Sequence, residues 1–415
     1  MNFIYADSGL VHNSGHHAQS GREIVGELRR RGISATVLAH RTVKEELRVE
    51  LDAKPHFDVY TYLKSSPDIL CGWLNDFHDV AEATAQNYFD LESLVDSDTI
   101  LHVNSAQGAQ LYAIALWWRS GLKWPRPVVM IELGIDPGLQ PLPDRNGQPQ
   151  YGFPDPRSDP RALLYRFAAC QLSQAGCRPI FYTFTQASSD AYHHLLGCPV
   201  YTLPLPRRAS VTIRNRRDAK PITVAFLGEQ RGEKGFHLVP EIVRQLLATT
   251  DCRVLVHNSR PDSMKREQEE LRAMIYVGGS GIGNGRLILD EEESNAQHWQ
   301  LLLDASDLIV LPYNERFRLS YSSIAVEALA NGIPVLAPEG STMATMSEEF
   351  NQGLGMNNLT PAGIVETIQL AIGGWSGVAE DAHAAAHRWA ERHGPGHMVD
   401  ALLALAKGQE GNVEA

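Results

Sequence analysis

The 415-residue sequence contains only five cysteines, Cys71, Cys170, Cys177, Cys198 and Cys252. No two form a CxxC pair, the count is odd, and the spacings match neither a zinc site nor a dense disulfide framework, so a reduced, cytoplasmic setting is expected. An excess of positive charge is also missing. The formal net charge of -12 at pH 7 opposes sequence-independent nucleic-acid binding, which needs a basic face to displace counterions. It does not exclude a small anion, for which a few local Arg and Lys suffice. No run approaches the roughly 20 apolar residues that span a bilayer. The opening residues MNFIYADSGLVHN lack a basic stretch followed by a long apolar one, so no signal peptide is expected. Peripheral attachment at the inner face of a membrane is compatible with this reading. No internal repeat at solenoid periods is present.

What is present is an ordinary globular mixture, 43% hydrophobic and 21% charged. The chain exceeds the roughly 250–300 residues at which single cores stop growing, so two domains are expected. Short apolar runs alternate with amphipathic stretches, the signature of βαβ units and parallel sheets. Phe3 to Ala6 reads as a strand, 17–31 as a helix with Ile24, Val25 and Leu28 on one face, and Ala35 to Ala39 as the next strand. Further strands are expected at Phe57–Tyr62, Thr99–Val103, Pro127–Glu132, Pro179–Phe184 and Val200–Leu203, with a long loop or lid at 136–160. The stretch from Pro206 to Pro221, rich in Pro and basic residues, reads as a linker. A second cycle of strands and helices starts at Ile222. The expected division is therefore 1–205, linker 206–221, 222–375, and C-terminal helices 376–415 that can cross back to the first domain. In doubly wound sheets ligands bind at the carboxyl ends of the strands, so the chemistry belongs in strand-to-helix loops.

Two such loops in the second half carry suitable residues. In FLGEQRGEKGF (Phe226 to Phe236) a strand ends at Gly228 and a short loop supplies Arg231 and Lys234 before Gly235. Two cations close to a helix N-terminus can clamp a diphosphate, although charged turns are also common on surfaces. In the stretch from Asp304 to Ser341, a strand runs into Pro312, a polar loop and a helix beginning near Ser322. Ser322 and Ser323 offer hydroxyls and backbone N–H groups to an anion, or simply cap the helix. Glu327, one turn in, can accept the hydroxyls of a ribose, or be an ordinary helix residue.

These motifs together resemble the retaining glycosyltransferases of the GT-B fold, particularly glycosyltransferase family 4. Gly228, Arg231, Lys234 and Gly235 match the family's diphosphate-binding segment. The stretch from Asp307 to Val335 matches its pattern of aspartate, strand, proline, polar loop and Glu-Ala-x-Ala-x-Gly-x-Pro-Val. The resemblance covers Ile222 to about Ala337 well and the first half in outline. It implies an α/β protein of two Rossmann-like domains. Arg231 and Lys234 would lie on the donor diphosphate, Ser322 and Ser323 at the phosphates, and Glu327 on the ribose. The family's second glutamate, eight positions earlier, is here Leu319, which leaves Glu315 as the nearest acidic candidate for its catalytic part. In the first half, Gly15, His16 and His17 occupy the place of the family's glycine-rich loop. His102 and Asn104 stand near the end of a strand that faces the transferred sugar.

The implied activity is transfer of a hexosyl group from a UDP- or GDP-type sugar to a hydroxyl of a glycan or lipid-linked acceptor, with retention. The family's habits suggest bacterial polysaccharide or glycoconjugate synthesis. The donor is a co-substrate, and neither a cofactor nor a metal is expected. Two other readings stay open: a nucleotide-sugar 2-epimerase, which needs acid/base groups near the sugar, and a non-catalytic sugar-nucleotide or glycan-binding protein. A dehydrogenase is disfavoured because the first loop lacks GxGxxG and Ala39-His40 stands where an acidic residue would end the second strand. Three further signals carry less. Asp96-Ser97-Asp98 precedes its strand rather than following it. His383 and His387, four apart, have Ala384-Ala385-Ala386 rather than an HExxH-type carboxylate between them, and Gly278 to Gly285 leads into a strand.

Overall fold

In the computed structural model, the residues described are 1–13, 15–62, 72–120, 126–145, 148–210, 213–276, 285–349 and 354–410. The chain divides into two compact units, Met1–Pro206 with Pro395–Ala415, and Arg207–Gly394.

The first unit is built on a seven-stranded sheet of order β3-β2-β1-β4-β5-β8-β9. Its strands are β1 (Asn2–Asp7), β2 (Ser34–His40), β3 (Ala53–Phe57), β4 (Thr99–Val103), β5 (Val128–Glu132), β8 (Ile180–Thr183) and β9 (Val200–Thr202). All neighbours pair in parallel. β1 is a run of apolar side chains because both faces of a parallel sheet are covered by helices. Phe3, Ile4 and Tyr5 are accordingly buried. The helix His16–Arg30 turns Ile24, Val25 and Leu28 to the sheet and ends in Arg29 and Arg30, favourably placed at its negative end.

The loop expected at 136–160 contains an antiparallel pair, β6 (Gln140–Arg145) and β7 (Gln148–Gly152). The strand expected at Phe57–Tyr62 lies earlier, as β3. Residues 58–62 bend instead, and the Asp58 backbone N–H goes to the Asn87 side chain.

The second unit has a six-stranded parallel sheet of order β12-β11-β10-β13-β14-β15. These are β10 (Thr223–Phe226), β11 (Arg253–His257), β12 (Leu287–Asp290), β13 (Leu308–Val310), β14 (Val335–Pro338) and β15 (Gly355–Met356). Val224, Phe226, Val254, Val256, Leu308 and Val310 pack with Phe236, Ile242, Val243, Leu246 and Trp375 in one core. The stretch 207–221 belongs to this unit. Arg216, buried, donates to the carbonyls of Ser306 (3.0 Å), Asn331 (3.1 Å), Gly332 (3.4 Å) and Leu303 (3.5 Å). Burial, with Arg214 nearby, lowers its pKa to about 10.

The helix Trp375–Arg392 lies in the second unit, whereas the helix Pro395–Glu410 belongs to the first. There Arg31 bonds to Asp400 and to the Gly396 carbonyl. No helix among the described residues is long and apolar enough to cross a membrane.

Candidate functional site

In each sheet the strand order reverses at one place, between β1 and β4 in the first unit and between β10 and β13 in the second. Ligands of doubly wound sheets bind at such points, outside the carboxyl ends of the strands.

At the second unit's reversal, β10 leads into Gly228, and two glycines hold the following loop against its neighbour. A Cβ at Gly228 (φ +100°) would stand 2.6 Å from the Ile324 side chain, and one at Gly235 (φ +74°) 1.9 Å from the Pro312 carbonyl oxygen. The Gly228 N–H donates to His257 Nδ1 (3.2 Å), whose Nε2 then donates to the Glu292 carbonyl (3.0 Å). Burial depresses the His257 pKa, in keeping with this neutral tautomer.

Arg231 caps the 3-10 turn Gly232–Lys234. Its guanidinium lies over the Phe317 ring (5.9 Å) and 3.4 Å from Glu233, while its Nε is buried with no hydrogen-bond partner. The Lys234 ammonium sits 5.8 Å from the Tyr313 ring centroid. Desolvation, followed by repulsion from Arg231, lowers its pKa to about 8. Two cations crowded at a strand end raise the local positive potential, which an anion can lower.

Ser322 caps the helix Ser323–Ala330, accepting from the Ala325 N–H. Its oxygen therefore performs the capping role foreseen as the alternative, one turn before Glu327. Glu327 is neither an exposed helix residue nor loose. It is 7% exposed, and its Oε2 accepts from Trp299 Nε1 (2.6 Å) and from Arg207 (3.4 Å). Glu315 lies on the 3-10 turn Glu315–Phe317 with its side chain 79% exposed, 3.6 Å from Arg318. The 3-10 turns carrying Lys234 and Glu315 are linked by the Asn314 N–H donating to the Glu233 carbonyl (3.0 Å). Leu319 is buried.

At the first unit's reversal, Asp7 ends β1 and accepts from His17 Nδ1 (2.8 Å to Oδ1), from Asn104 Nδ2 (2.9 Å to Oδ2) and from the Gly9 N–H (2.8 Å). His17 Nε2 lies 3.2 Å from the Tyr62 hydroxyl, which is 3.0 Å from His16 Nε2. Asn104 Oδ1 is buried without a partner. Gly15 (φ +87°) precedes the helix as its N-cap and supplies no side-chain cap.

Glu132, at the end of β5, accepts from Ser105 Oγ and Tyr182 OH, both at 3.2 Å. Burial, and then the nearby Asp7 carboxylate, push its pKa up to about 7. Asp7, Tyr62 and Glu132 are additional to the sequence candidates; Asp7 and Glu132 end apolar strands, the position at which polar residues of parallel sheets meet ligands.

His102 requires correction as a sugar-facing residue. It lies inside β4, opposite Tyr5 and Met130, stacks on Phe3 and Tyr5, and is fully buried. Its Nε2 is 2.6 Å from Tyr182 OH, and burial pushes its pKa down to about 3. It is a neutral core histidine. Asp96 accepts from Thr99 Oγ1 (2.6 Å) and the Asp98 N–H (3.1 Å), closing a turn before β4. His383 and His387 face each other on one helix, ring centroids 4.9 Å apart. Among the described residues, no group of three or more His, Cys, Asp or Glu side chains could hold a metal ion. The glycine-rich stretch falls, except for Gly285, outside the described residues.

No protein-family model matches the sequence, and no curated protein matches it. Solved structures do match in fold. HepE from Anabaena, in complex with UDP-glucose, superposes with a TM-score of 0.66 at 12% identity, over 98% of this chain and 100% of HepE. The α,α-trehalose 6-phosphate synthase from Burkholderia multivorans gives 0.67 at 11% identity, over 100% and 98%. A protein assigned as UDP-N-acetylglucosamine 2-epimerase from Listeria monocytogenes gives 0.58 at 14%, over 99% and 97%. The chain thus has the GT-B fold, with two Rossmann-like domains.

Proposed function

We propose that the chain is a nucleotide-sugar glycosyltransferase that moves a hexosyl group from a UDP- or GDP-type donor to a hydroxyl of a glycan or lipid-linked acceptor. The observation that carries this reading is the Arg231–Lys234 pair, held at the reversal point of the second sheet with a buried, unpartnered Arg231 Nε. HepE, of the same fold, holds UDP-glucose. In this reading Gly228, Ser322 and Ser323 line the phosphates, Glu327 takes the ribose, and Glu315 stands at the sugar end. Gly15, His16, His17 and Asn104 serve the acceptor or sugar side.

The chemistry asks most of the cations, since charge grows on the diphosphate as the glycosidic bond breaks. With retention, the acceptor oxygen bonds to the anomeric carbon on the face the diphosphate leaves. The acceptor's proton passes to a diphosphate oxygen. The donor is the co-substrate, and no metal or other cofactor enters this scheme. The proposed setting is the cytoplasm, including the inner face of the membrane when the acceptor is lipid-linked.

Thermal shift against UDP, GDP, TDP and ADP tests the reading, because a ligand that binds only the folded state raises Tm. At least one should stabilise the protein, and Arg231→Ala or Lys234→Ala should weaken that ligand at least tenfold by calorimetry. No shift with any of the four, or undiminished affinity in both variants, would overturn it.

One observation favours a second reading. Asp7, His17 and Glu132 supply acid/base groups at the first unit's reversal point, as a 2-epimerase requires. Turnover of a nucleotide sugar with no acceptor present would select it.

A further inference from the structure

Glu327 is held by a residue that the sequence motifs do not include. Trp299 stands in the first turn of the helix Ala296–Ala305, and its indole N–H donates to Glu327 Oε2 at 2.6 Å. A neutral donor on a carboxylate at that distance is a strong, charge-assisted hydrogen bond. The same oxygen is approached by Arg207, but only to 3.4 Å. The other edge of Trp299 matters too. Its ring packs edge-to-face on His257, centroids 5.9 Å apart, and His257 receives the Gly228 N–H. One indole therefore joins the helix that bears Glu327 to the loop that leads to Arg231 and Lys234.

We propose that Trp299 is a positioning residue for ribose recognition, a role that rests on the nucleotide-sugar reading. The indole N–H fixes the direction of the Glu327 carboxylate, so that it meets the ribose hydroxyls instead of turning into a closer pair with Arg207. Without it, the cation draws the carboxylate in. The hydroxyl contacts are then lost while the phosphate contacts at Arg231 and Lys234 persist. Trp299 thereby sets discrimination between ribose and 2′-deoxyribose without touching the sugar's reacting carbon.

The test is Trp299→Phe, which keeps a ring against His257 and removes only the indole N–H and its extra ring. Calorimetry with UDP, 2′-deoxy-UDP and inorganic pyrophosphate gives the readout. Wild type should prefer UDP over its deoxy counterpart by about 10- to 100-fold, the range of a hydrogen bond to a charged group. Trp299→Phe should reduce that preference to about threefold or less and leave pyrophosphate affinity unchanged. A merely structural role would weaken all three ligands together. Trp299→Tyr serves if the phenylalanine variant does not fold, with the same loss of preference expected. Preserved discrimination in the folded variant, or no discrimination in wild type, overturns the proposal. Failure of wild type to bind any nucleoside diphosphate would instead sink the nucleotide-sugar reading itself.

Discussion

Lys234 holds its charge where the surroundings oppose it. Desolvation and the Arg231 guanidinium bring its pKa to about 8, against about 10.4 for a free lysine. A diphosphate reverses both effects by adding negative charge beside the ammonium, so the occupied site has a higher pKa than the free one. The sign follows directly. Below pH 8 the lysine is protonated with or without ligand, and binding takes up no proton there. Above pH 8 the free side chain is increasingly neutral while the bound one stays charged, so binding takes up a proton and affinity falls as pH rises. Calorimetry of nucleoside diphosphate binding at pH 9 in two buffers of different ionisation enthalpy should show uptake approaching ~1 proton, and at pH 7 nearly none from this group. Lys234→Met should abolish the difference between the two pH values. Equal uptake in wild type and variant would refute the assignment of the proton to Lys234.

At the scale of elements, the segment 207–221 does more than connect. Arg216 is buried and gives its hydrogen bonds to five carbonyls, that of Arg214 two residues before it, those of Leu303 and Ser306 at the C-terminal end of the helix Ala296–Ala305, and those of Asn331 and Gly332 in the turn after the helix Ser323–Ala330. Trp375 Nε1 in turn donates to the Arg216 carbonyl at 2.9 Å. Removing the guanidinium leaves acceptors buried without donors, so Arg216→Ala should lower the unfolding free energy by ~3 kcal/mol in urea. A loss under ~0.5 kcal/mol, typical of exposed positions, would show the contacts to be incidental.

This segment also shows what a sequence hides. Its Pro and Arg content reads as a linker, whereas most partners of its Arg216 lie about ninety residues or more away along the chain. The loop after Gly228 that carries Arg231 and Lys234, and the helix cap at Ser322, were each legible because glycine spacing and caps act within a few residues. The Trp299–Glu327 bond spans 28 positions, and the Asp7–Asn104 bond 97. Such pairs depend on how distant elements pack, helix on helix for the first and strand beside strand for the second, which local patterns do not carry. His102 failed for the same reason. Only its pairing with Tyr5 and Met130 reveals that it is sealed in the sheet.

For the whole molecule, the chain's return after Gly394 makes the first unit discontinuous in sequence. The helix Pro395–Glu410 buries Met398, Val399, Leu402 and Ala406, and it supplies Asp400 and the Gly396 carbonyl to Arg31. Arg31 in turn helps hold the nearly buried Glu27, whose pKa is lowered to about 2 mainly by Arg30 and Arg31. Ending the chain after Gly394 exposes the apolar surface once covered by four side chains, a loss of roughly 5 kcal/mol or more. All of that loss falls on the unit containing β1 to β9. The residues proposed to hold the nucleotide, Arg231, Lys234 and Glu327, belong to the other unit. Calorimetric unfolding of the shortened chain should therefore show one transition moved down or lost, and a second still raised by the nucleoside diphosphate that stabilises the full chain. If both transitions keep their temperatures, the helix contributes no stability to the first unit. If the nucleotide no longer raises the second, its site depends on residues outside Arg207–Gly394.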